Sequence, residues 1–264
     1  MGVMALAWVG FALIQALVFF VWKAAYRVQK TSIVDIFWSL FVLAAALVYF
    51  FLSEVKTVLG LICLGLMFLW ALRLSFHIYW RSREHGEDPR YRALRDKWGG
   101  EEKKKMLIFY FQQGTVAWVF SIPFLILFLN PNGKLDFWMI AGILLWCFAF
   151  VGETLSDYQL YQFKKNTDNR GKVCRTGFWN YSRHPNYFFE WLNWVAFSWI
   201  ALPAENGWIA LICPVLIYYF LNKVSGIPLA EKQALQSRSA EYAEYQSVTS
   251  AFFPWFPKKK DHFS

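Results

Sequence analysis

IVDIFWSLFVLAAALVYFFL, residues 33–52, is a run of twenty residues with a single charged side chain, Asp35, close to its start. A bilayer hydrocarbon core of about 30 Å is crossed by a helix of about twenty predominantly apolar residues. The run therefore reads as a spanning helix. Working outward in both directions, six further apolar runs follow the same pattern, near Met4–Trp22, Val58–Trp80, Val116–Leu129, Phe137–Thr154, Phe188–Ala204 and Trp208–Leu221. The expected fold is all-α, a polytopic membrane protein of seven transmembrane helices. No internal repeat or linker divides the chain, so residues 1–264 are expected to form a single membrane-embedded domain.

Composition agrees with this reading. Hydrophobic residues make up 57% of the chain, with 15 Trp and 27 Phe, and the net charge is +9. The first run has no basic residue before it and no clear small-residue cleavage site after it, so it is expected to stay as a helix rather than be removed as a signal peptide. Of the 27 Lys and Arg residues, 24 lie in the segments 23–32, 80–115, 157–187 and 222–264. With seven crossings those segments share one side. The positive-inside rule makes it cytoplasmic, placing the N-terminus outside and the C-terminus inside. The expected location is a membrane whose cytoplasmic face carries these basic loops. The basic excess flanks membrane segments and is interleaved with acids, which points to lipid headgroups and not to nucleic acid. Four scattered cysteines without C-x-x-C spacing predict neither a disulfide nor a metal site.

Ser182–Trp191, read SRHPNYFFEW, places polar groups at the mouth of the sixth run. Pro185 suits the first turn of a helix, which puts His184 near its cap. A helix start joined by Arg183 is a natural anion site, while Asn186 and Glu190 share a face at a spacing of four. Lys164, Lys165, Arg170, Lys172 and Arg175 in the preceding loop can accompany a polyanion. Neither a G-x-G-x-x-G nor a P-loop motif is present, so a nucleotide would have to bind within a helical bundle. The competing reading makes Arg183 and His184 interfacial anchors, pairs Glu190 with a neighbouring helix, and places Tyr158, Tyr161, Tyr181 and Tyr187 in an aromatic belt.

Ionisable side chains inside spanning helices cost about 2.5–3.5 kcal/mol each on insertion scales, so each calls for a partner or a purpose. Asp35 stands at the start of the second run, where it can cap the helix. Arg73 lies deep in the third, with Trp70 and His77 on its face. Glu153 and Asp157 close the fifth, four apart. Two polar segments, one around Arg90–Trp98 and one over Leu229–Tyr245, read as helices on the membrane surface.

Four motifs in combination are specific: IVDIFWS at 33–39, GEDPRYRALRDKWG at 86–99, GETLSDYQ at 152–159 and GFWNYSRHPNYFFEW at 177–191. Together they resemble bacterial membrane proteins related to the C-terminal domain of the steroid 5α-reductases, over nearly the whole chain. RHPNY alone is similar to isoprenylcysteine carboxyl methyltransferases and sterol-ring reductases as well. The resemblance implies a seven-helix reductase that takes NADPH from the cytoplasm and a lipophilic enone, typically a 3-oxo-Δ4 steroid, from the bilayer. It implies that Asn186, Glu190 and Asp157 bind the cofactor. Asp35 falls where the steroid reductases carry the Glu of a Gln-Glu pair on the substrate carbonyl, Trp70 near their substrate-contacting Tyr, and Arg73 near an Arg. Val34 stands in place of the Gln, and Trp70 has no phenolic proton to give.

The candidate cofactor-binding set is thus Glu153, Asp157, Lys164, Arg170, Tyr181, Arg183, His184, Asn186 and Glu190, and the candidate catalytic set is Asp35, Arg73 and Trp70. The expected reaction is transfer of hydride to the β-carbon while a donor steadies the developing enolate oxygen. Asp35 as a neutral acid fills that role; if Arg73 pairs with it directly, Arg73 becomes the electrophile and Asp35 its orienter. The expected partners are a steroid-like substrate from the bilayer and membrane lipids, with no obligatory protein partner. Two other functions compete: an S-adenosylmethionine-dependent membrane methyltransferase, which would use the same RHPNY corner, and a non-catalytic sterol or lipid carrier, which would need no cluster of Asp157, Asn186 and Glu190.

Overall fold

The structure, a computed structural model, describes residues 2–131 and 133–258. It is all-helical, with no strand among the described residues. The chain divides into two compact units, Met1–Asp136 with Ala201–Ala210, and Phe137–Ile200 with Leu211–Ser264.

The first unit contains α1 (Val3–Arg27), α2 (Ile33–Leu52), α3 (Val58–His85), α4 (Pro89–Trp98) and α5 (Glu102–Leu129). Helices α1, α2, α3 and α5 are apolar around most of their circumference, so polar contacts between them single out particular pairings. Ser39 Oγ of α2 donates to the Ala71 carbonyl of α3 at 2.9 Å. Tyr49 of α2 and Ser121 of α5 share a hydrogen bond of 3.1 Å, and Trp118 Nε1 of α5 donates to the Ala7 carbonyl of α1 at 2.9 Å. Such bonds between helices contribute about 0.6–2 kcal/mol in lipid, where packing of aromatic and small side chains supplies the rest. The Trp38 ring meets Phe120 and Trp70 edge to face, at centroid distances of 5.3 and 6.4 Å.

The second unit contains α6 (Phe137–Lys165), α7 (Pro185–Ala201), α8 (Ile212–Tyr219), α9 (Ile227–Ser237) and α10 (Ser239–Val248). After α8 the chain widens into a π-helical turn, Phe220–Val224, where the Ser225 and Gly226 amides both return to the Phe220 carbonyl.

Three boundaries differ from expectation. The fourth apolar run was read as Val116–Leu129, but α5 begins at Glu102 and continues unbroken through Pro123. Residues 102–115 begin with Glu102 and three lysines and continue to Gln112 and Gln113, good helix formers that bracket a short apolar stretch and that a search for long apolar runs passes over. The polar segment at 229–245 is two helices, divided at Arg238. Six stretches are long and apolar enough to cross a membrane, among the described residues, where seven were expected. The missing one is α7. Its 17 residues rise only about 25 Å, less than a typical hydrocarbon core.

Candidate functional site

The second unit holds a polar seam between α6 and α7, which run antiparallel. At one end the Trp138 and Trp199 rings stack at 4.1 Å, and each indole N–H donates to the other residue's carbonyl. Gly152 lets the helices approach closely, for a Cβ there would lie 2.4 Å from the Phe189 ring. The polar groups lie along this pair. Asn186 Nδ2 donates to Asp157 Oδ1 at 3.0 Å, and Asn193 Nδ2 donates to Glu153 Oε2 at 3.0 Å. Trp194 Nε1 donates to Glu190 Oε1 at 3.1 Å. Glu153, Glu190 and Asn193 are all buried, and Asn193 Oδ1 has no hydrogen-bond partner. Buried carboxylates and amides are costly to hold unless paired, so these hydrogen-bonded groups set the α6–α7 contact apart from a purely apolar one.

A clasp secures the α7 start. Gly177 takes φ +58, a left-handed conformation that suits glycine, and a Cβ there would meet the Gln159 side chain at 2.4 Å. That turn brings the Phe178 amide to Gln159 Oε1 and the Trp179 indole to the Ser156 carbonyl. Ser182 Oγ accepts from the His184 amide and donates to the Phe252 carbonyl. Arg183 is engaged from several sides: Nε pairs with Glu231 at 2.7 Å, Nη1 donates to the Gln246 and Thr249 carbonyls, and its amide donates to the Ser250 carbonyl. Glu231 also meets His184 Nε2 at 3.2 Å and accepts from Gln246 Nε2 at 2.7 Å. The Tyr245 hydroxyl donates to the Trp179 and Ser182 carbonyls. Burial pushes the His184 imidazole below its ordinary value, opposed by the Glu231 carboxylate beside it and reinforced by Arg183. Its ring stacks on Tyr187 at 5.3 Å.

The first unit holds a separate polar cluster at the start of α2. Asp35 lies in the first turn and accepts from the Tyr91 hydroxyl at 2.5 Å, so its carboxylate meets a phenol from α4 instead of capping its own helix. Arg90 is bound bidentately by Asp88, which also caps α4 through the Arg90 amide. Hydrogen bonds and ion pairing to Arg90, with Arg81 nearby, outweigh burial and hold the Asp88 carboxyl below its usual range. Glu87 accepts from the Ser32 amide at 3.3 Å and pairs with Arg95 at 2.6 Å. Arg95 also donates to Thr31 Oγ1, while the Tyr110 hydroxyl donates to the Thr31 carbonyl. Together these contacts pin α4 across the start of α2.

The structure thus gathers Glu153, Asp157, Asn186 and Glu190 on one seam. It engages Arg183 and His184 in the clasp. Tyr181 lies beside them, its ring against Phe256 and its carbonyl accepting from the Trp255 amide. Lys164 lies in the last turn of α6 and Arg170 in the loop after it, both exposed. Of the candidate catalytic residues, Trp70 is fully buried against Trp38, and Arg73 is half-buried three residues further along α3. Three participants received no role from sequence reasoning. Asn193 continues the Asn186 and Glu190 spacing on α7 and was legible there. Tyr91 is a buried aromatic on a helix with five charged residues, a weaker signal. Glu231 gave none, since its partners lie 47 and 48 residues away.

These features define a helical membrane protein with a buried polar helix pair and a braced turn at the start of its second helix. Residues 19–249 match the family described as protein of unknown function (DUF1295), and the chain belongs to that family, which includes steroid 5α-reductase-like proteins. It is also similar to an uncharacterised protein of the fission yeast Schizosaccharomyces pombe, with 24% identity over 262 residues, spanning 88% of this chain and 75% of the yeast protein. No solved structure matches.

Proposed function

We propose that the protein is an NADPH-dependent reductase of the carbon–carbon double bond of a lipophilic enone, with 3-oxo-Δ4 steroids as the leading substrate class. The observation that carries this reading is the α6–α7 seam: residues chosen for their likeness to a cofactor-binding motif, Asp157, Asn186 and Glu190, come from two helices and lie along one interface, with Asp157 bonded to Asn186. Carboxylates and an amide suit the hydroxyl and carboxamide groups of a nucleotide, and exposed Lys164 and Arg170 suit its phosphates. Arg183 and His184 fit a different task, holding the α7 start in place. NADPH supplies the hydride when bound.

The chain's own chemical contribution is the Asp35–Tyr91 pair. The phenol absent at Trp70 is provided by Tyr91, whose proton Asp35 holds and orients. A proton kept on that pair is available to an enolate oxygen, the electrostatic assistance on which conjugate reduction depends. Arg73 remains the alternative electrophile on this reading.

The same proposal gives the topology. With α7 as a seventh crossing alongside α6, the N-terminus lies outside and the C-terminus in the cytoplasm, and Asp157 and Asn186 face the cytoplasmic end. The corresponding location is a bacterial inner membrane. The decisive experiment is ligand retention and turnover: the purified protein should bind NADPH and consume it in the presence of a 3-oxo-Δ4 steroid. Retention of S-adenosylmethionine with no affinity for NADPH would overturn the proposal in favour of a methyltransferase.

A further inference from the structure

The C-terminal segment after α10 is neither helix nor strand, yet it is firmly placed. Residues 249–258 lie over the turn that leads into α7: the Trp255 amide donates to the Tyr181 carbonyl, Ser182 Oγ to the Phe252 carbonyl, and the Arg183 amide to the Ser250 carbonyl. The Lys258 amide closes the segment back onto the Val248 carbonyl. On its inner side Phe252 is buried, and the Phe252 and Phe253 rings pack against Phe188 and Trp191 of α7 and Tyr218 of α8. The strap therefore sits against the polar-flanked ends of two apolar helices. Its outer side is strongly apolar and uncovered: Trp255 is 73% exposed and Phe256 75% exposed. Lys258 is exposed beside them, followed in sequence by Lys259 and Lys260, and Lys223 is exposed just beyond α8.

Tryptophan and phenylalanine next to lysines, at the end of apolar helices, are the side chains that settle in a bilayer's headgroup region; the rings take the interface and the cations take anionic lipid. Two prolines, Pro254 and Pro257, keep the segment from joining either neighbouring helix or pairing as a strand. We infer that the strap is an interfacial anchor whose outer face binds the anionic lipid surface of the protein's own membrane. Because the same strap bonds Tyr181, Ser182 and Arg183, lipid contact fixes the depth at which α7 begins. The inference stands apart from the NADPH reading and needs no bound cofactor.

The test uses the full chain labelled with 5-fluorotryptophan, one copy per nanodisc, with the Trp255 fluorine resonance assigned by its absence in Trp255→Phe. In discs of equal parts phosphatidylcholine and phosphatidylglycerol, a headgroup-attached nitroxide lipid should broaden that resonance and an aqueous gadolinium chelate should spare it. In discs of phosphatidylcholine alone, or in Lys258→Gln, the lipid-induced broadening should weaken by about twofold or more, as expected from the loss of an attraction to anionic lipid. Broadening by gadolinium alone would show a water-exposed strap and overturn the inference. Shielding from both reagents would show that protein covers Trp255, which overturns it equally, and broadening indifferent to lipid charge would remove the anionic lipid from it.

Discussion

The polar seam of the second unit and the Asp35 cluster of the first are both small sets of hydrogen-bonded acids in an apolar protein, but they are assembled differently. The seam is written at helical spacing: Glu153 and Asp157 on α6, then Asn186, Glu190 and Asn193 on α7, with Asn186 bonded to Asp157 and Asn193 to Glu153. The Asp35 cluster draws its phenol from 56 residues away, on a short charged helix whose own ion pairs, Arg90 with Asp88 and Arg95 with Glu87, hold it in place. The seam is redundant, with several groups able to share a ligand. The cluster rests on one carboxylate and one hydroxyl. A single substitution should therefore be far more damaging in the cluster than in the seam.

The largest expected effect follows from that contrast. Asp35→Asn removes the acid while keeping its shape, and loss of a positioned proton donor or its orienter should slow turnover about 10²–10⁴-fold. NADPH affinity should stay within about twofold of wild type, because the seam is untouched. Steady-state turnover paired with NADPH titration checks both halves; unchanged turnover would remove Asp35 from the chemistry. Tyr91→Phe sharpens the point, since it removes the phenol itself and its loss should fall on turnover alone and be at least as large as that of Asp35→Asn.

Next in size is the clasp. Arg183 and Glu231 are largely buried, and Glu231→Leu leaves the guanidinium without its carboxylate, a change that costs about 3–5 kcal/mol in buried pairs. A large drop in Tm should appear in nanodiscs, with Arg183→Leu comparable and the double variant well short of additive. Full additivity would show that the pair does not act as one unit.

In the seam the expected losses are smaller. Asn186→Leu deletes one amide that bonds Asp157, and a hydrogen bond to a charged group is worth about 1.5–3 kcal/mol. NADPH affinity should fall about 10–100-fold while turnover at saturating NADPH stays near wild type. A fall in turnover with affinity preserved would reverse the assignments of the two regions.

How much of this could be read from the sequence follows the same division. Periodicity exposes contacts along one helix, so six of the apolar stretches, the α4 helix and the shared face of Asn186 and Glu190 on α7 were legible. Contacts between distant segments carry no such period. Arg183 and His184 sit in a motif that suggests an anion site, yet their carboxylate partner, Glu231, comes from α9, and nothing local distinguishes a cation that waits for a ligand from one already paired. The end of α7 was placed too far along for a related reason: the apolar run passes Ala201 into Leu202, Pro203 and Ala204, but the helix stops where Pro203 can no longer be accommodated and a turn begins.

The finest probe of the comparison is pH, because it acts on the clasp without altering any residue. His184 is buried beside Glu231 and Arg183, and its folded-state value lies below the ordinary 6.5 that the unfolded chain recovers. Below 6.5 the unfolded state thus binds the proton more readily than the folded one. The stability contributed by a neutral His184 is intact above 6.5 and is lost progressively as pH falls through its lowered folded value. One proton sets a ceiling on the slope of about 1.4 kcal/mol per pH unit. Tm measured from pH 7.5 to 5 should decline over this window, and His184→Gln, which retains a polar side chain toward Glu231, should flatten that part of the decline. The Asp35 cluster has no histidine among its described hydrogen-bonding partners, so the flattening should leave the remaining acid limb unchanged. A decline of the same steepness in His184→Gln would assign the titration elsewhere and leave the clasp a pH-insensitive brace.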